Sequence, residues 1–343
     1  MLELRVEGTR GGQVESVHRV SAAVVDADGR LLLASGTPDL VTFWRSAAKP
    51  FQALPFVADG AADRFGFADD AVALACASHS SEPEHVALAG AMLAQVGRRE
   101  DDLSCGPHVP LSPVIAERVA RGHVRQTPLW SNCSGKHAAM LATCLHHGWP
   151  LAGYTEAAHP LQRRIVAEIA RWSDVPAESI GLGVDGCTTC CFALPLRAMA
   201  LAYARLGTSA EPAATRVREA MMAHPYLVAG NERPCTDLMA AGAGTVLAKL
   251  GADGVYSAAL PTAGLGIAIK VEDGDMRAIP LALLAVLREL VPVLPSLDRV
   301  LDAPEVARHA ELPIRNTRGA VTGYLRARGT LHRVTTGVET VRA

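Results

Sequence analysis

The stretch SAAVVDADGRLLLASG, residues 21–36, decides the fold of the N-terminal part of the chain. Its two apolar runs flank an Asp-Ala-Asp-Gly turn, a pattern that predicts two antiparallel strands joined as a hairpin. A second hairpin is predicted late in the chain, where GVYSAALP (254–261) is followed by GLGIAIKVEDG (264–274). AVTGYLRARGTLHRV (320–334) predicts a further strand. Both ends of the sequence therefore supply strands.

Helical patterns dominate the middle of the chain between these strands. Ser81 and Glu84 form a predicted capping box at the start of one helix, and Gly148 closes another. The economical arrangement is one antiparallel sheet from both chain ends with a helical block inserted between them, which is an α+β fold. The predicted single domain, 1–343, has a strand-rich lobe over about 1–45 and 251–343 and a largely helical block over about 46–250.

The composition is typical of a soluble globular protein: of 343 residues, 49% are hydrophobic and 20% charged, and the formal net charge is −2. No basic field suited to nucleic acid is present. The most apolar run, IPLALLAVLRELVPVL (279–294), is interrupted by charges and is too short to span a bilayer. Because MLELRVEGTRGG (1–12) has no apolar core of signal-peptide length, we expect a cytoplasmic location. We therefore expect the eight cysteines to be thiols or metal ligands, not disulfides.

Lysine is rare in this sequence, since only four of the 33 Lys and Arg residues are lysines: Lys49, Lys136, Lys249 and Lys270. A desolvated lysine amine can lose its proton, which a guanidinium cannot. In RSAAKP, Ser46 and Lys49 are three positions apart and share one face of a helix that begins just before Pro50. This spacing suits a serine nucleophile with a lysine base at a helix N-terminus. The alternative is a capping Ser46 beside a solvated Lys49.

Lys270 occupies a strand face that is otherwise made of glycine and alanine. The alternation in GLGIAIKVEDG predicts this face, and a strand face without side chains permits close approach of a helix or a substrate. We expect the Lys270 amine to reach a site at the end of that face. A half-exposed strand lysine is the alternative.

Two cysteine-containing segments favour a metal site. Cys133 stands at a helix start, where a thiolate is stabilised, and Lys136 and His137 follow within one turn. SIGLGVD predicts a strand that ends just before Cys187. Two cysteines with a nitrogen donor one turn away suit Zn²⁺. Cys187 and Cys190 also form a C-x-x-C pair, which could instead be redox active.

Taken together, the motifs resemble the asparaginases of the inducible, thermolabile Rhizobium type, a family distinct from the bacterial Thr-nucleophile asparaginases. The similar segments follow one order along nearly the whole chain: RSAAKPFQALP (45–55), ASHSSEPEH (77–85), SNCSGKHAAML (131–141), GVDGC (183–187) with FALPL (192–196), AHPYLVAGNERPCTDLM (223–239), GLGIAIKVEDG (264–274) and NTRGAVTG (316–323). The resemblance implies a fold related to the serine β-lactamases and glutaminases. It also implies a homodimer that hydrolyses L-asparagine to aspartate and ammonia.

The resemblance further implies roles for individual residues. It makes Ser46 the nucleophile and Lys49 its base. It pairs Ser78 with Lys270 as a second Ser–Lys couple in the same pocket, and the sequence does not decide which couple attacks the substrate. The implied metal ligands, usually of zinc, are Cys133, Lys136 and Cys187. The substrate-binding candidates are Arg45, for a substrate carboxylate, and the pocket residues Asn132, His137 and Asp185. Lys249 is left without a role and is predicted at the surface of a late helix.

Two loops depart from the pattern of that family. After Cys187 the family continues Gly-x-Pro, whereas this chain has Thr-Thr-Cys-Cys at 188–191. After Gly230 the family has Thr-Gly-Arg-x-Asp-Thr, whereas this chain has Asn-Glu-Arg-Pro-Cys-Thr at 231–236. Both loops adjoin the inferred site, so another amide such as glutamine is an alternative substrate. A weakly catalytic metal- or amino-acid-binding protein is the alternative class.

Overall fold

The computed structural model describes residues 3–334 of the chain. Residues 1–2 of the N-terminal segment, and residues 335–343 of the predicted strand-rich lobe, lie outside that range. The described strands are β1 (Arg5–Arg10), β2 (Gln13–Asp26), β3 (Leu31–Ser35), β4 (Val41–Phe43), β5 (Gly181–Val184), β6 (Cys190–Pro195), β7 (Leu247–Leu250), β8 (Val255–Leu260), β9 (Leu265–Val271), β10 (Glu311–Arg315), β11 (Val321–Arg328) and β12 (His332–Arg333).

Nine of these strands form one antiparallel sheet. Its order is β10-β11-β1-β2-β9-β8-β7, with β3 paired to β2 and β12 paired to β3. The long strand β2 pairs with β1 along its first half and with β9 along its second half, so it joins the N-terminal strands to the late ones. The predicted β2–β3 and β8–β9 hairpins are both confirmed. The α+β fold class is therefore confirmed, with strands from both chain ends in one sheet.

Helices fill the middle of the chain and cover the sheet. The described α-helices are α1 (Lys49–Ala58), α2 (Ala61–Arg64), α3 (Asp69–Ala75), α4 (Pro83–Gln95), α5 (Pro113–Ala120), α6 (Ser134–His147), α7 (Pro160–Ser173), α8 (Leu196–Thr208), α9 (Pro212–Ala223), α10 (Pro225–Val228), α11 (Pro234–Gly242), α12 (Ala278–Glu289), α13 (Ser296–Asp302) and α14 (Pro304–Ala307). Helix α6 ends at Gly148 in the left-handed conformation, as predicted. In the described part of the chain no helix is long and apolar enough to cross a membrane.

Helix α8 packs on the glycine and alanine face of β9. A Cβ atom added at Gly266 would lie 1.9 Å from the backbone oxygen of Ala200, so the helix backbone rests directly on the strand. Ile267 and Ile269, the alternate residues of β9, are fully buried. Each such side chain contributes about 1.5–3 kcal/mol by leaving water. The predicted close approach at this face is confirmed, and a helix makes it.

The middle block contains more strand than the sequence predicted. Strands β4, β6 and β5 form a separate three-stranded sheet, with β6 in the centre. Phe192 and Leu194 of β6 are buried, and both neighbouring strands pair with its backbone. A six-residue apolar run bounded by a turn and a proline is long enough for a strand and too short for a stable helix. The predicted strand before Cys187 is confirmed as β5.

The predicted capping box at Ser81 is wrong by one residue. Glu82 is the N-cap of α4, and its partner in the capping box is His85. Ser81 has a left-handed backbone with φ 59° and donates its hydroxyl to the Trp130 carbonyl at 2.8 Å. Because this hydroxyl is committed to another segment, it does not cap the helix.

Candidate active site

The hydroxyl of Ser78 lies between the amines of two buried lysines. Lys49 Nζ is 2.9 Å from Ser78 Oγ, and Lys249 Nζ is 2.8 Å from the same oxygen. Lys49 and Lys249 are 0% and 1% exposed. Each amine also donates to a backbone carbonyl, that of Ala77 for Lys49 and that of Leu250 for Lys249. A serine in contact with two desolvated amines has the components of an activated nucleophile.

The loop between α3 and α4 carries Ser78 and is fixed by its neighbours. The Ser78 N–H donates to the Val228 carbonyl at 2.9 Å. The His79 ring accepts a hydrogen bond from the Ser81 N–H at Nδ1, 3.2 Å away. Its Nε2–H therefore donates to Ser134 Oγ, at 2.9 Å. His79 thus ties the serine loop to the start of α6.

Lys249 is a residue of the candidate site that the sequence analysis did not include. It was predicted at the surface of a helix, but it is buried in strand β7. Burial, with added repulsion from the Lys49 ammonium group, lowers the pKa of Lys249 to about 7. A signal for the strand was present, because Gly-Ala-Asp-Gly at 251–254 joins two apolar runs much as Asp-Ala-Asp-Gly does in the first hairpin.

Lys270 does not pair with Ser78, contrary to the expectation. Its Nζ donates to the carbonyls of Val271, at 2.7 Å, and Asp253. Lys270 lies in β9, which is separated from β7 by one strand of the sheet. Period-2 alternation indicates which face of a strand a residue occupies, but not which strand adjoins a given loop. Lys249 takes the place that was predicted for Lys270.

Ser46, the expected nucleophile, is not hydrogen-bonded to Lys49 through its hydroxyl. The residues Arg45–Ala48 form a short 3₁₀ turn, and α1 begins at Lys49. From there the Lys49 side chain reaches Ser78. The Ser46 hydroxyl has no hydrogen-bond partner among residues 3–334 and lines a cavity of about 290 Å³. The two serines therefore occupy different surroundings, one free and one held by lysines.

The cavity beside Ser46 brings together most of the other predicted site residues. Its lining residues are Arg45, Ser46, Gly106, Pro107, His108, Ser131, Asn132, Cys133, Asp185, Gly186, Cys187 and Ala252. Arg45 is already committed to carboxylates, since its Nε donates to Asp185 Oδ1 at 2.9 Å and its Nη1 pairs with Asp253. His137 does not line this cavity; it is fully buried, with Nδ1 2.6 Å from the Tyr154 hydroxyl.

Cys133, Lys136 and Cys187 come together beside the same cavity. Lys136 Nζ donates to Cys187 Sγ at 3.0 Å and to Thr189 Oγ1 at 2.9 Å. A hydrogen bond from the Cys133 thiol, together with the charge of Lys136, holds the pKa of Cys187 well below its ordinary value. The same contact with Cys187, and burial, raise the pKa of Cys133. The Cys133 thiol also lies 3.0 Å from Asn132 Oδ1, to which it donates.

The donor set of this cluster fits zinc. Two thiols are donors that Zn²⁺ accepts, and the Lys136 amine would be a third donor, through nitrogen, once it loses its proton. No group of three or more His, Cys, Asp or Glu side chains in this range could hold a metal, so the trio depends on the lysine. Burial opposes the charge of Lys136, but Cys187 and Cys133 outweigh it and raise its pKa. A metal would therefore displace a proton from that amine.

All eight cysteines are buried and free of disulfides, which agrees with the expectation of thiols or metal ligands. Cys190 does not bond to Cys187; its Sγ lies 3.8 Å from the Thr155 carbonyl, whereas Cys187 contacts Lys136. Cys235 accepts a hydrogen bond from the Leu250 N–H at 3.1 Å, next to Lys249. Both loops that depart from the family pattern therefore border the site.

Comparison with known proteins identifies the family of the chain. A family model described as L-asparaginase II matches residues 6–327, and no curated protein matches the chain. Among solved structures, Mglu in its tris and glutamate form is 18% identical, with 83% of this chain and 60% of that chain covered and a TM-score of 0.36. A second Mglu structure is 20% identical, with 83% and 68% covered and a TM-score of 0.37. The LovD6 mutant of simvastatin synthase from Aspergillus terreus is 14% identical, with 84% and 92% covered and a TM-score of 0.30. The chain spans about three fifths of the first Mglu chain.

Proposed function

The chain belongs to the L-asparaginase II family, and from this membership we propose that it hydrolyses the side-chain amide of L-asparagine to give L-aspartate and ammonia. The observation that carries the proposal is the Ser78 hydroxyl between the Lys49 and Lys249 amines, at 2.9 and 2.8 Å. This arrangement suits attack on an amide carbonyl, because a neutral amine can take the serine proton while the other stays charged.

We assign Ser78 as the nucleophile and Lys249 as its base. With a pKa of about 7, the Lys249 amine is partly neutral near neutral pH and can accept the Ser78 proton. Ser78 Oγ then bonds to the amide carbon, and the C–N bond breaks as ammonia leaves with the proton from Lys249. A water molecule, deprotonated by Lys249, hydrolyses the resulting ester and releases aspartate. Lys49, in contact with the same oxygen, orients it and balances the developing negative charge.

This assignment exchanges the roles that the family resemblance implied for the two serines. Ser46 remains in the proposal as a cavity residue whose hydroxyl is available to the substrate. Asn132 and Asp185 line the same cavity and are proposed to contact the substrate. His137 is proposed to act indirectly, through its contact with Tyr154.

We also propose that Cys133, Lys136 and Cys187 hold a zinc ion. When bound, the ion would supply a Lewis acid that anchors the substrate beside the cavity. The chain's own part is to provide the Cys187 thiolate and to release the Lys136 proton. A homodimer, as the resemblance implies, and a cytoplasmic location complete the proposal; neither nucleic acid nor a membrane is a proposed partner.

Glutamine is the second candidate substrate, because the altered loops contact the site. Thr189 accepts a hydrogen bond from Lys136, and Cys235 adjoins Lys249 through Leu250. Both positions lie where the sequence departs from the family pattern, so these loops would set the length of the substrate pocket. Pocket length would decide between asparagine and glutamine, which differ by one methylene group.

The test is ammonia release from L-asparagine and L-glutamine by the purified, zinc-supplemented protein beside its Ser78→Ala and Ser46→Ala variants. We expect asparagine turnover that Ser78→Ala abolishes and Ser46→Ala only reduces. Activity lost in Ser46→Ala and kept in Ser78→Ala would return the nucleophile to Ser46. A folded wild-type protein that releases no ammonia from either amino acid would overturn the proposed function.

A further inference from the structure

The guanidinium of Arg233 lies beside the Ser78 loop without a carboxylate partner. Its Nη1 donates to Ser80 Oγ at 3.0 Å, and that hydroxyl in turn donates to the Ala229 carbonyl at 2.8 Å. Within residues 3–334 this is the one hydrogen bond of the Arg233 side chain, and the residue forms no ion pair there. A guanidinium presents five N–H donors in a planar fork that matches a carboxylate. Most donors of Arg233 are therefore unused.

Other partly buried arginines of the chain do hold carboxylates. Arg164 binds the carboxylate of Asp59, and Arg216 contacts that of Asp69. Arg45, the residue that the sequence suggested for a substrate carboxylate, is occupied by two acidic side chains. Arg233 is partly buried, and burial lowers its pKa. Arg233 is thus a partly buried cation that lacks the carboxylate partner its counterparts have.

The loop that carries Arg233 packs directly on the loop of the proposed nucleophile. A Cβ atom added at Gly230, whose φ is 119°, would lie 2.7 Å from both Cβ and Oγ of Ser80. Ser80 stands two positions after Ser78. The positive charge of Arg233 also contributes to lowering the pKa of Lys249, so the guanidinium acts electrostatically on the catalytic amine.

Three cations in this region have only neutral partners. Every hydrogen bond that Lys49, Lys249 and Arg233 form within the described residues goes to a hydroxyl or a backbone carbonyl. Glu82 is close, but its two oxygens accept from the backbone and side chain of Asn231. Glu82 acts on Arg233 through its charge but does not contact it, and buried positive charges without a direct carboxylate partner favour the entry of a small anion.

We propose that Arg233 receives the carboxylate of the substrate, and thereby selects amides that carry a carboxylate over amides that do not. The inference rests on the proposed function, because it names the group that recognises the substrate of the same site. It replaces Arg45, whose fork is already filled by Asp185 and Asp253.

Two analogues of asparagine distinguish recognition of the carboxylate by Arg233 from a general effect of Arg233 on catalysis or on the fold. Succinamate keeps the amide and the carboxylate of asparagine, and 3-aminopropanamide keeps the amide and the amine. We expect Arg233→Gln to lower kcat/KM for asparagine and succinamate about 10- to 100-fold, the usual loss for a charged hydrogen bond, and to change kcat/KM for 3-aminopropanamide less than about threefold. Arg233→Lys should recover part of the loss. Arg308→Gln, which removes an arginine paired with Asp237 of α11, is the matched control. It should leave kcat/KM unchanged for all three amides.

An equal loss on all three amides would overturn the inference, since it would mean that Arg233 acts through Lys249 or through the fold. An Arg233→Gln variant whose kcat/KM for asparagine and succinamate is unchanged would also overturn the inference. Calorimetric binding of succinamate in the Ser78→Ala background gives a readout without turnover. There, Arg233→Gln should weaken binding by the same 10- to 100-fold, roughly. The wild-type protein could hydrolyse none of the three amides while succinamate still binds and Arg233→Gln abolishes that binding. This result would support the inference and overturn the proposed function.

Discussion

Lys249 and Ser78 are 171 positions apart in the sequence, and the lysine Nζ lies 2.8 Å from the serine Oγ. Lys249 belongs to β7, a strand of the large sheet, whereas Ser78 lies in a loop between two helices of the middle block. The contact therefore spans the boundary between the sheet and the helical block. Lys49, from the first helix of that block, completes the arrangement. These three side chains meet only when both parts of the fold are assembled.

Replacing Lys249 should remove most of the activity. We expect Lys249→Met to lower kcat for asparagine by about 100- to 10,000-fold, the usual contribution of a general base. Lys270→Met is the matched control, because Lys270 donates only to backbone carbonyls away from Ser78. It should keep kcat within about threefold, on the scale of a lost surface interaction. Steady-state ammonia release measures both, and a Lys270 variant as impaired as the Lys249 variant would restore the pairing that the sequence suggested.

The activity should depend on pH through the titration of Lys249. The neutral amine is the active form, and burial and Lys49 lower its pKa to about 7. Arg233 lowers the pKa further, whereas the thiols of Cys235 and Cys133 act in the opposite direction. We therefore expect kcat/KM to rise with pH up to about 7 and to level off above it.

The variant Lys49→Met provides the check on that assignment. Removing the nearest positive charge takes away repulsion, so the pKa of Lys249 should rise and the midpoint of the residual activity should move to higher pH. A midpoint that stays in place, or moves to lower pH, would show that a different group controls the profile.

The two hairpins could be predicted because their signals are local. Each has two short apolar runs around a short turn that ends in Gly, Asp-Ala-Asp-Gly at 26–29 in the first and Pro-Thr-Ala-Gly at 261–264 in the second. In both hairpins each run pairs with its neighbour in sequence. The signal for the end of α6 is also local, because Gly148 directly follows the last helical residue. The run at 247–250 is a strand, whereas the sequence predicts a helix there. Four residues are too few for their apolar pattern to distinguish a helix from a strand.

The site was only half predictable for a different reason. The sequence analysis names Lys49, Ser78, Lys136 and Cys187 as candidates, and the structure brings Lys49 into contact with Ser78 and Lys136 into contact with Cys187. Which serine meets which lysine depends on how β7 adjoins a loop from another part of the chain, and no spacing in the sequence carries that information. The pairing of Ser78 with Lys249 is a tertiary property.

Zinc binding should depend on Cys187 and not on other buried thiols. We expect the wild-type protein to bind one equivalent of zinc, and Cys187→Ala to lower that affinity by more than about 100-fold. Cys144→Ala, which also removes a buried thiol but from the interior of α6, should keep it. Elemental analysis after dialysis measures the metal, and thermal melting confirms the fold of each variant. Equal zinc content in the two variants would place the metal elsewhere.

The contact of α8 with β9 should make Gly266 intolerant of any side chain. In Gly266→Ala the added Cβ would lie 1.9 Å from the Ala200 oxygen, which is backbone and cannot move aside as a side chain does. We expect the free energy of unfolding to fall by about 3 kcal/mol, at the upper end for an overpacked core. Gly90→Ala in α4 is the control, since its Cβ would meet only Leu129 Cδ1 at 3.7 Å. That helical position should gain about 0.5–1 kcal/mol. Urea denaturation measures the free energy of unfolding of both variants. Equal values for the two would mean that α8 does not rest on β9 as closely as described.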